Sequence, residues 1–122
     1  MYFCQGNYLR FQQFNHTVMQ QAKIIRELRD TIRRSDPDAH VILYGSQARG
    51  DARPDSDIDV LIIVNDEKLT VEKEQRIVFP LYDLELINGI TISPMVVTRK
   101  KWENRPFKTP FYINVMNEGI EL

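Results

Sequence analysis

A chain of 122 residues is enough for one domain with a single modest core. Its 43% hydrophobic and 27% charged residues mark a folded, water-facing protein rather than a disordered or fibrous one. With 16 basic residues against 17 acidic and a formal charge of −1 there is no general field to grip a nucleic-acid backbone, although Arg26, Arg29, Arg33 and Arg34 offer a local patch. Cys4 is the only cysteine, which excludes an internal disulfide and a cysteine-based zinc site and suits a cytoplasmic, reducing setting. No apolar run approaches the roughly 20 residues of a membrane-spanning helix.

Residues 1–14, beginning "MYFCQGNYLR", lack both the apolar stretch of a signal peptide and any clear periodicity. They read as a loosely ordered N-terminal extension, with Met19 an alternative start, ahead of a single domain over 15–122. From Thr17 to Arg34, Val18, Ala22, Ile25, Leu28 and Ile32 recur at helical spacing, with Asn15 or Thr17 as cap and Pro37 as stop. "HVILYG" reads as a short buried strand ended by Gly45, and "IDVLIIV" as a central strand covered on both faces.

A helix is predicted from Thr70 to Ile87, with Ile77, Leu81 and Leu84 inside, Val78 and Leu86 at the edges, and a kink or break at Pro80. Asn88-Gly89 stops it. "ITISPMVVT" is a third strand, placed at an edge or bulge by Pro94. A short helix over Lys100–Asn104 and a last one in "TPFYINVMNEG" complete the chain, the latter with Pro110 in its first turn and Gly119 as its stop. The order implies a compact α/β or α+β domain on a small sheet.

The chemistry gathers between residues 41 and 64. Side chains two apart on a strand share a face, so Asp57 and Asp59 converge while Ile58 and Val60 point away. Two neighbouring carboxylates repel unless a cation lies between them, and magnesium, which prefers oxygen and often shares its ligands with substrate phosphates, is the natural one. Gly45 permits close backbone approach. A helical turn opening at "SQARG" would aim free N–H groups and the Ser46 hydroxyl at the same place, with Arg49 or Arg53 offsetting phosphate charge. Gly-Ser and Asp-x-Asp are each common in plain solvated loops; together, with acids running on into an apolar strand, they point to a nucleoside triphosphate site. His16 and His40 lack ligand-like spacing, Ser46 has no nameable partner base, and Trp102, Phe111 and Tyr112 read as packing residues.

Across "YGSQARGDARPDSDIDVLIIV" the chain resembles the nucleotidyltransferase superfamily with the polymerase-beta-like core, and above all its minimal, stand-alone members. Gly45-Ser46, the spacer, Ser56, Asp57-Ile58-Asp59 and the following strand match, as do Arg49 and Gly50; Gln47 stands where arginine is usual. The order of elements fits over residues 19–122. The resemblance implies a mixed sheet flanked by helices, and Mg2+ held by Asp57 and Asp59. It also implies transfer of a nucleoside monophosphate, AMP foremost, from a triphosphate (ATP first) to a hydroxyl with release of pyrophosphate. Gly45 and Ser46 would hold phosphates, and Arg49 would contact phosphate or brace the loop. Some minimal members are antitoxins that add AMP to a HEPN-domain partner; a second copy of this chain could equally help close so small a pocket.

One family feature is missing. The third carboxylate expected on the later strand falls at Ser93, a far poorer base and metal ligand. Asp83 and Glu85 lie upstream on a predicted helix and Glu103 beyond the strand. The alternative is therefore a nucleotide-binding or partner-binding module with weakened catalysis. A nucleic-acid accessory domain on the arginine face of the first helix is a third reading.

Overall fold

The structure, a computed structural model, describes residues 20–122. The extension at 1–14, the start at Met19, His16 and the caps at Asn15 or Thr17 lie outside the described residues. Helix α1 is described over residues 20–35. It is followed by β1 (His40–Tyr44), α2 (Ser46–Arg49), β2 (Ile58–Val64), α3 (Val71–Asn88), β3 (Ile92–Thr98), α4 (Arg99–Glu103), α5 (Pro110–Glu118) and β4 (Ile120–Glu121).

The sheet is mixed, in the order β3-β2-β1-β4. β1 runs antiparallel to β2, with Tyr44 opposite Asp59. The α3 crossover returns β3 parallel to β2, with Ser93 opposite Asp59. β4, which the sequence reading did not foresee, adds two residues antiparallel to β1. β2 is central and covered on both sides, as its unbroken apolar run requires. Ile58, Val60, Ile62 and Val64 enter one core with Ile24, Leu28, Ile32, Ile77 and Leu81 from α1 and α3. Leu61 and Ile63 enter a second core with Trp102 and Val115 from α4 and α5.

Two helical faces differ from expectation. In α1 the buried stripe is Ile24, Leu28 and Ile32 at a strict step of four, while Ala22 is exposed and Ile25 only half-buried. The sequence stripe passed through Ala22 and Ile25, on either side of Ile24, and agrees with the structure at Leu28 and Ile32, while Val18 lies outside the described residues. In α3, Val78 is buried with Ile77 and Leu81, whereas Leu86 points to solvent. The helix also runs unbroken through Pro80, its ends fixed by Thr70 Oγ1, which accepts from Lys73 N at 3.1 Å, and by left-handed Gly89 at φ 63°. Burying Ile77, Val78 and Leu81 offsets the roughly 3 kcal/mol that an interior proline costs.

β3 is an edge strand, as Pro94 predicts. Ile92 N donates at 2.7 Å to Glu85 Oε1 of α3 rather than to β2. Alternate N–H groups of a strand face the same way, so residue 94 also faces outward and its missing donor costs the ladder nothing. Thr109 caps α5, accepting from Tyr112 N at 3.2 Å, with Pro110 in its first turn. At Gly119 a side chain would collide with Val115 O and Ile42 Cγ2, so glycine is there for room.

Candidate functional site

The site forms where β1 ends and β2 begins. Gly45 adopts φ 74° and ψ −154°, and a Cβ placed there would lie 2.5 Å from Asp59 Oδ2. Both conditions demand glycine: the dihedrals are unfavourable for an L side chain, and the Asp59 carboxylate packs directly against the backbone. The chain then turns into α2. Its first helical bonds run from Ala48 N and Arg49 N to Gly45 O at 3.1 and 3.0 Å, so the N–H groups of Ser46 and Gln47 are unspent within the turn. Gly50, at φ 83°, ends it.

Asp57 is exposed on the last residue before β2, and Asp59 is half-buried as the strand's second residue. Register sets Asp59 between Tyr44 and Ser93, all three on one face of the sheet. Burial raises the Asp59 carboxyl above the ordinary range and the charge of Asp57 raises it further, while Arg49 pulls it down. The two acids therefore feel one another, as their spacing predicts. The Tyr44 phenol is pushed up too, first by burial and then by Asp59. Its ring meets Phe111 edge-on, centroids 5.3 Å apart.

Arg49 is a brace. Its Nε lies 3.3 Å from Asp51 Oδ2 and its Nη1 3.4 Å from Glu118 Oε2, joining α2 to the end of α5. These carboxylates hold the guanidinium above its ordinary pKa. Arg53 lies in the loop before β2, where its N donates to Ser56 Oγ at 2.7 Å and its carbonyl accepts from Gln21 Nε2 at 3.2 Å. The spacer is thus tied both to itself and to α1.

Among the described residues no further acid joins the pair. Glu85 is committed to Ile92 N, Asp83 is exposed on α3, and Glu103 pairs with Arg99 at 3.4 Å beyond the opposite end of β3. Among the described residues no three His, Cys, Asp or Glu side chains gather as a metal-binding group. The donor set is two carboxylates under mutual repulsion. That suits a hard divalent cation such as magnesium, which completes its shell with water and substrate oxygens, and it does not make an all-protein cage.

Elsewhere, His40 Nδ1 pairs with Glu121 Oε1 at 2.6 Å, at the end of β1 away from the acids. Trp102 packs 4.8 Å from Tyr112 and lies under the Arg105 guanidinium, so the aromatic trio is used in packing. The α1 arginines are dispersed, Arg29 to Asp30 and Arg33 to Leu122 O. Three neighbours of the site were given no role in the sequence reading. Tyr44 stood next to the motif and was legible as an adjacent aromatic. Gln47, whose buried Nε2 has no hydrogen-bond partner, was noticed only as a departure. Glu118 carried no signal, because its contact spans 69 residues.

Residues 25–122 match the family model described as "Nucleotidyltransferase domain". A protein of Methanocaldococcus jannaschii named "putative protein adenylyltransferase" is 36% identical over 106 residues, covering 85% of this chain and 100% of that one. A crystal structure described as a "putative nucleotidyltransferase" from Sulfolobus solfataricus covers 86% of this chain and 84% of its own at TM-score 0.51; with 18% identity that likeness is one of fold. With Gly45-Ser46 and Asp57-Ile58-Asp59 set side by side on a mixed sheet, the chain belongs to the nucleotidyltransferase domain family, as a minimal nucleotidyltransferase of polymerase-beta-like fold.

Proposed function

We propose that this nucleotidyltransferase transfers AMP from ATP to a hydroxyl of a partner protein in a magnesium-dependent reaction. The observation that carries the proposal is the Asp59 carboxylate packed against Gly45, beside the unspent N–H groups of Ser46 and Gln47. The relative named as a protein adenylyltransferase supports both AMP and a protein acceptor. A HEPN-type partner belongs to the proposal through the resemblance alone.

In this reading Asp57 and Asp59 would hold magnesium, which when bound would supply positive charge against the triphosphate and the departing pyrophosphate. Ser46 and the α2 N–H groups orient phosphate oxygens, and the Gly45 backbone leaves them room. Arg49 keeps α2 in place through Glu118 and Asp51. The acceptor oxygen attacks the α-phosphorus in line, the bond to the bridging oxygen breaks, and the acceptor proton passes to solvent.

Ser93 beside Asp59 favours a second reading, a nucleotide-binding module whose catalysis has weakened. Calorimetric titration of ATP with magnesium into the chain and into Asp57→Asn/Asp59→Asn, followed by label transfer from α-labelled ATP to candidate acceptors, separates the two. Metal-dependent binding lost in the double variant, with transfer, supports the enzyme. The same binding without transfer to any acceptor supports the module. No metal-dependent binding by the wild-type chain refutes both.

A further inference from the structure

Charge in this chain nearly cancels at −1, yet it is not spread evenly. "RKKWENRPFK", residues 99–108, holds Arg99, Lys100, Lys101, Arg105 and Lys108 against the single acid Glu103. The acids within reach are soon spent. Glu103 lies 3.4 Å from Arg99, and Glu67 of the loop before α3 lies 3.8 Å from Lys100. Asp66 is taken by Lys73 at 3.5 Å and Glu118 by Arg49 at 3.4 Å. Lys101, Arg105 and Lys108 have no ion-pair partner among the described residues.

Arg105 is the best organised of the three. Its Cζ lies 4.5 Å from the Trp102 ring centroid and 5.5 Å from that of Tyr112, so two aromatic faces hold the guanidinium. Its Nε is buried without a hydrogen-bond partner. A guanidinium held in this way offers its N–H groups as a fork that fits a carboxylate, with little side-chain freedom left to lose. Phe107, 79% exposed, stands in the chain between Arg105 and Lys108. A held arginine beside an exposed aromatic is the usual centre of a protein interface, and free lysines around it steer the approach.

This basic segment lies on the same side of the sheet as the site. Asp59 shares its face with Leu61 and Ile63, on which Trp102 packs. Trp102 meets Phe111 at 6.2 Å between centroids, Phe111 meets Tyr44 at 5.3 Å, and Tyr44 stands opposite Asp59. Asp57 and Asp59, which would repel an acidic visitor, lie beyond those rings and are the place of the cation in the reading above. We propose that residues 99–108 dock an acidic segment of the protein that receives AMP, its carboxylates on Arg105, Lys101 and Lys108 and an apolar side chain against Phe107. The proposal rests on the protein-acceptor reading. Three free cations are few for a nucleic-acid track, where about six to ten phosphate contacts are common. Trp102 is buried and Tyr112 is held between Trp102 and Arg105, so neither is free to stack on a base.

The test titrates the full chain into a fluorescent glutamate–tyrosine copolymer, an acidic chain that carries hydroxyls, and into its lysine–tyrosine counterpart. Anisotropy should show binding to the first and none to the second, weakening as salt rises. Lys101→Glu/Lys108→Glu should weaken it about tenfold and Arg105→Glu by a similar factor. Arg105→Lys should recover little, because a point charge does not replace a stacked fork. Phe107→Ser should cost about threefold. Arg26→Glu, which removes an exposed cation on α1, should change nothing. Circular dichroism checks each fold, and calorimetric titration of ATP with magnesium should give wild-type affinity throughout. Copolymer binding that is absent, or indifferent to the Lys101 and Lys108 reversals, overturns the proposal. So does tighter binding of an oligothymidylate of equal charge, which would give the surface to nucleic acid. A chain that binds magnesium-ATP but no copolymer loses this inference alone; one that binds copolymer but no ATP keeps the acidic dock and loses the transferase reading.

Discussion

Gly45 is where one atom decides the most. Gly45→Ala puts a methyl group 2.5 Å from Asp59 Oδ2 in a backbone conformation that L residues avoid, and the carboxylate must move. Affinity for magnesium-ATP should fall at least about tenfold, with about 1–2 kcal/mol lost in urea unfolding. Asp59 should behave oppositely in its two roles. Burial and then the Asp57 charge oppose its ionisation, so the charged side chain costs stability at neutral pH, in part screened by solvent. Asp59→Asn should raise the thermal midpoint by roughly 2 °C and abolish metal-dependent ATP binding, readable by one melting series with and without magnesium and ATP. Glu118→Gln frees one side of the Arg49 brace. Nucleotide affinity should drop by about threefold through a looser α2, measured by calorimetric titration of ATP with magnesium.

At the scale of elements, the contact between α1 and α3 is electrostatic at one end. Lys73 Nζ lies 3.1 Å from Asp36 Oδ2 and 3.5 Å from Asp66 Oδ1, tying the start of α3 to the segment after α1. Burial draws the ammonium pKa down, but Asp36 and then Asp66 outweigh it, and the net displacement is upward. A cation whose folded pKa is raised contributes fully below its ordinary value near pH 10.4 and loses that contribution as pH rises through the folded value. Wild type should therefore lose more stability between pH 8 and pH 11 than Lys73→Met, which at pH 8 should be weaker by about 1 kcal/mol. Urea midpoints at the two pH values decide it.

The same scale shows what the sequence could and could not disclose. Strands β1 and β2 were legible because continuous β-branched runs have few other homes, and the acids at the head of β2 were legible as a period-two pair. The α1 stripe slipped because Ala22 and Ile24 both fit a helical period, and only packing against Val41 and Val60 chooses between them. Leu86 was assigned to an edge because apolarity alone does not say which side of a helix meets the sheet. The brace from Arg49 to Glu118 and the pairing of β4 join residues far apart in the chain. Neither leaves a local trace. Ser93 was placed beside Asp59 by the resemblance, which expects a third carboxylate on the later strand, and the parallel register of β3 sets it there.

For the molecule as a whole, stability runs through β2. Its alternate residues belong to different cores, so Leu61→Ala opens a cavity under α4 and α5 while Ile62→Ala opens one under α1 and α3. Each should cost about 3 kcal/mol, and because one strand serves both cores, fluorescence and circular dichroism should still give coincident unfolding curves. The outer margin of β3 has a further consequence. Glu85 occupies the outward N–H of Ile92, and Pro94 has none to offer. A passing strand therefore finds successive docking points closed along the parallel edge, where sheets commonly seed fibrils. Solubility at high concentration should depend on this stretch of backbone more than on surface charge, which nearly cancels at −1. Pro94→Val, silent in the ladder and nearly neutral for folding, should shorten the lag of thioflavin-positive aggregation.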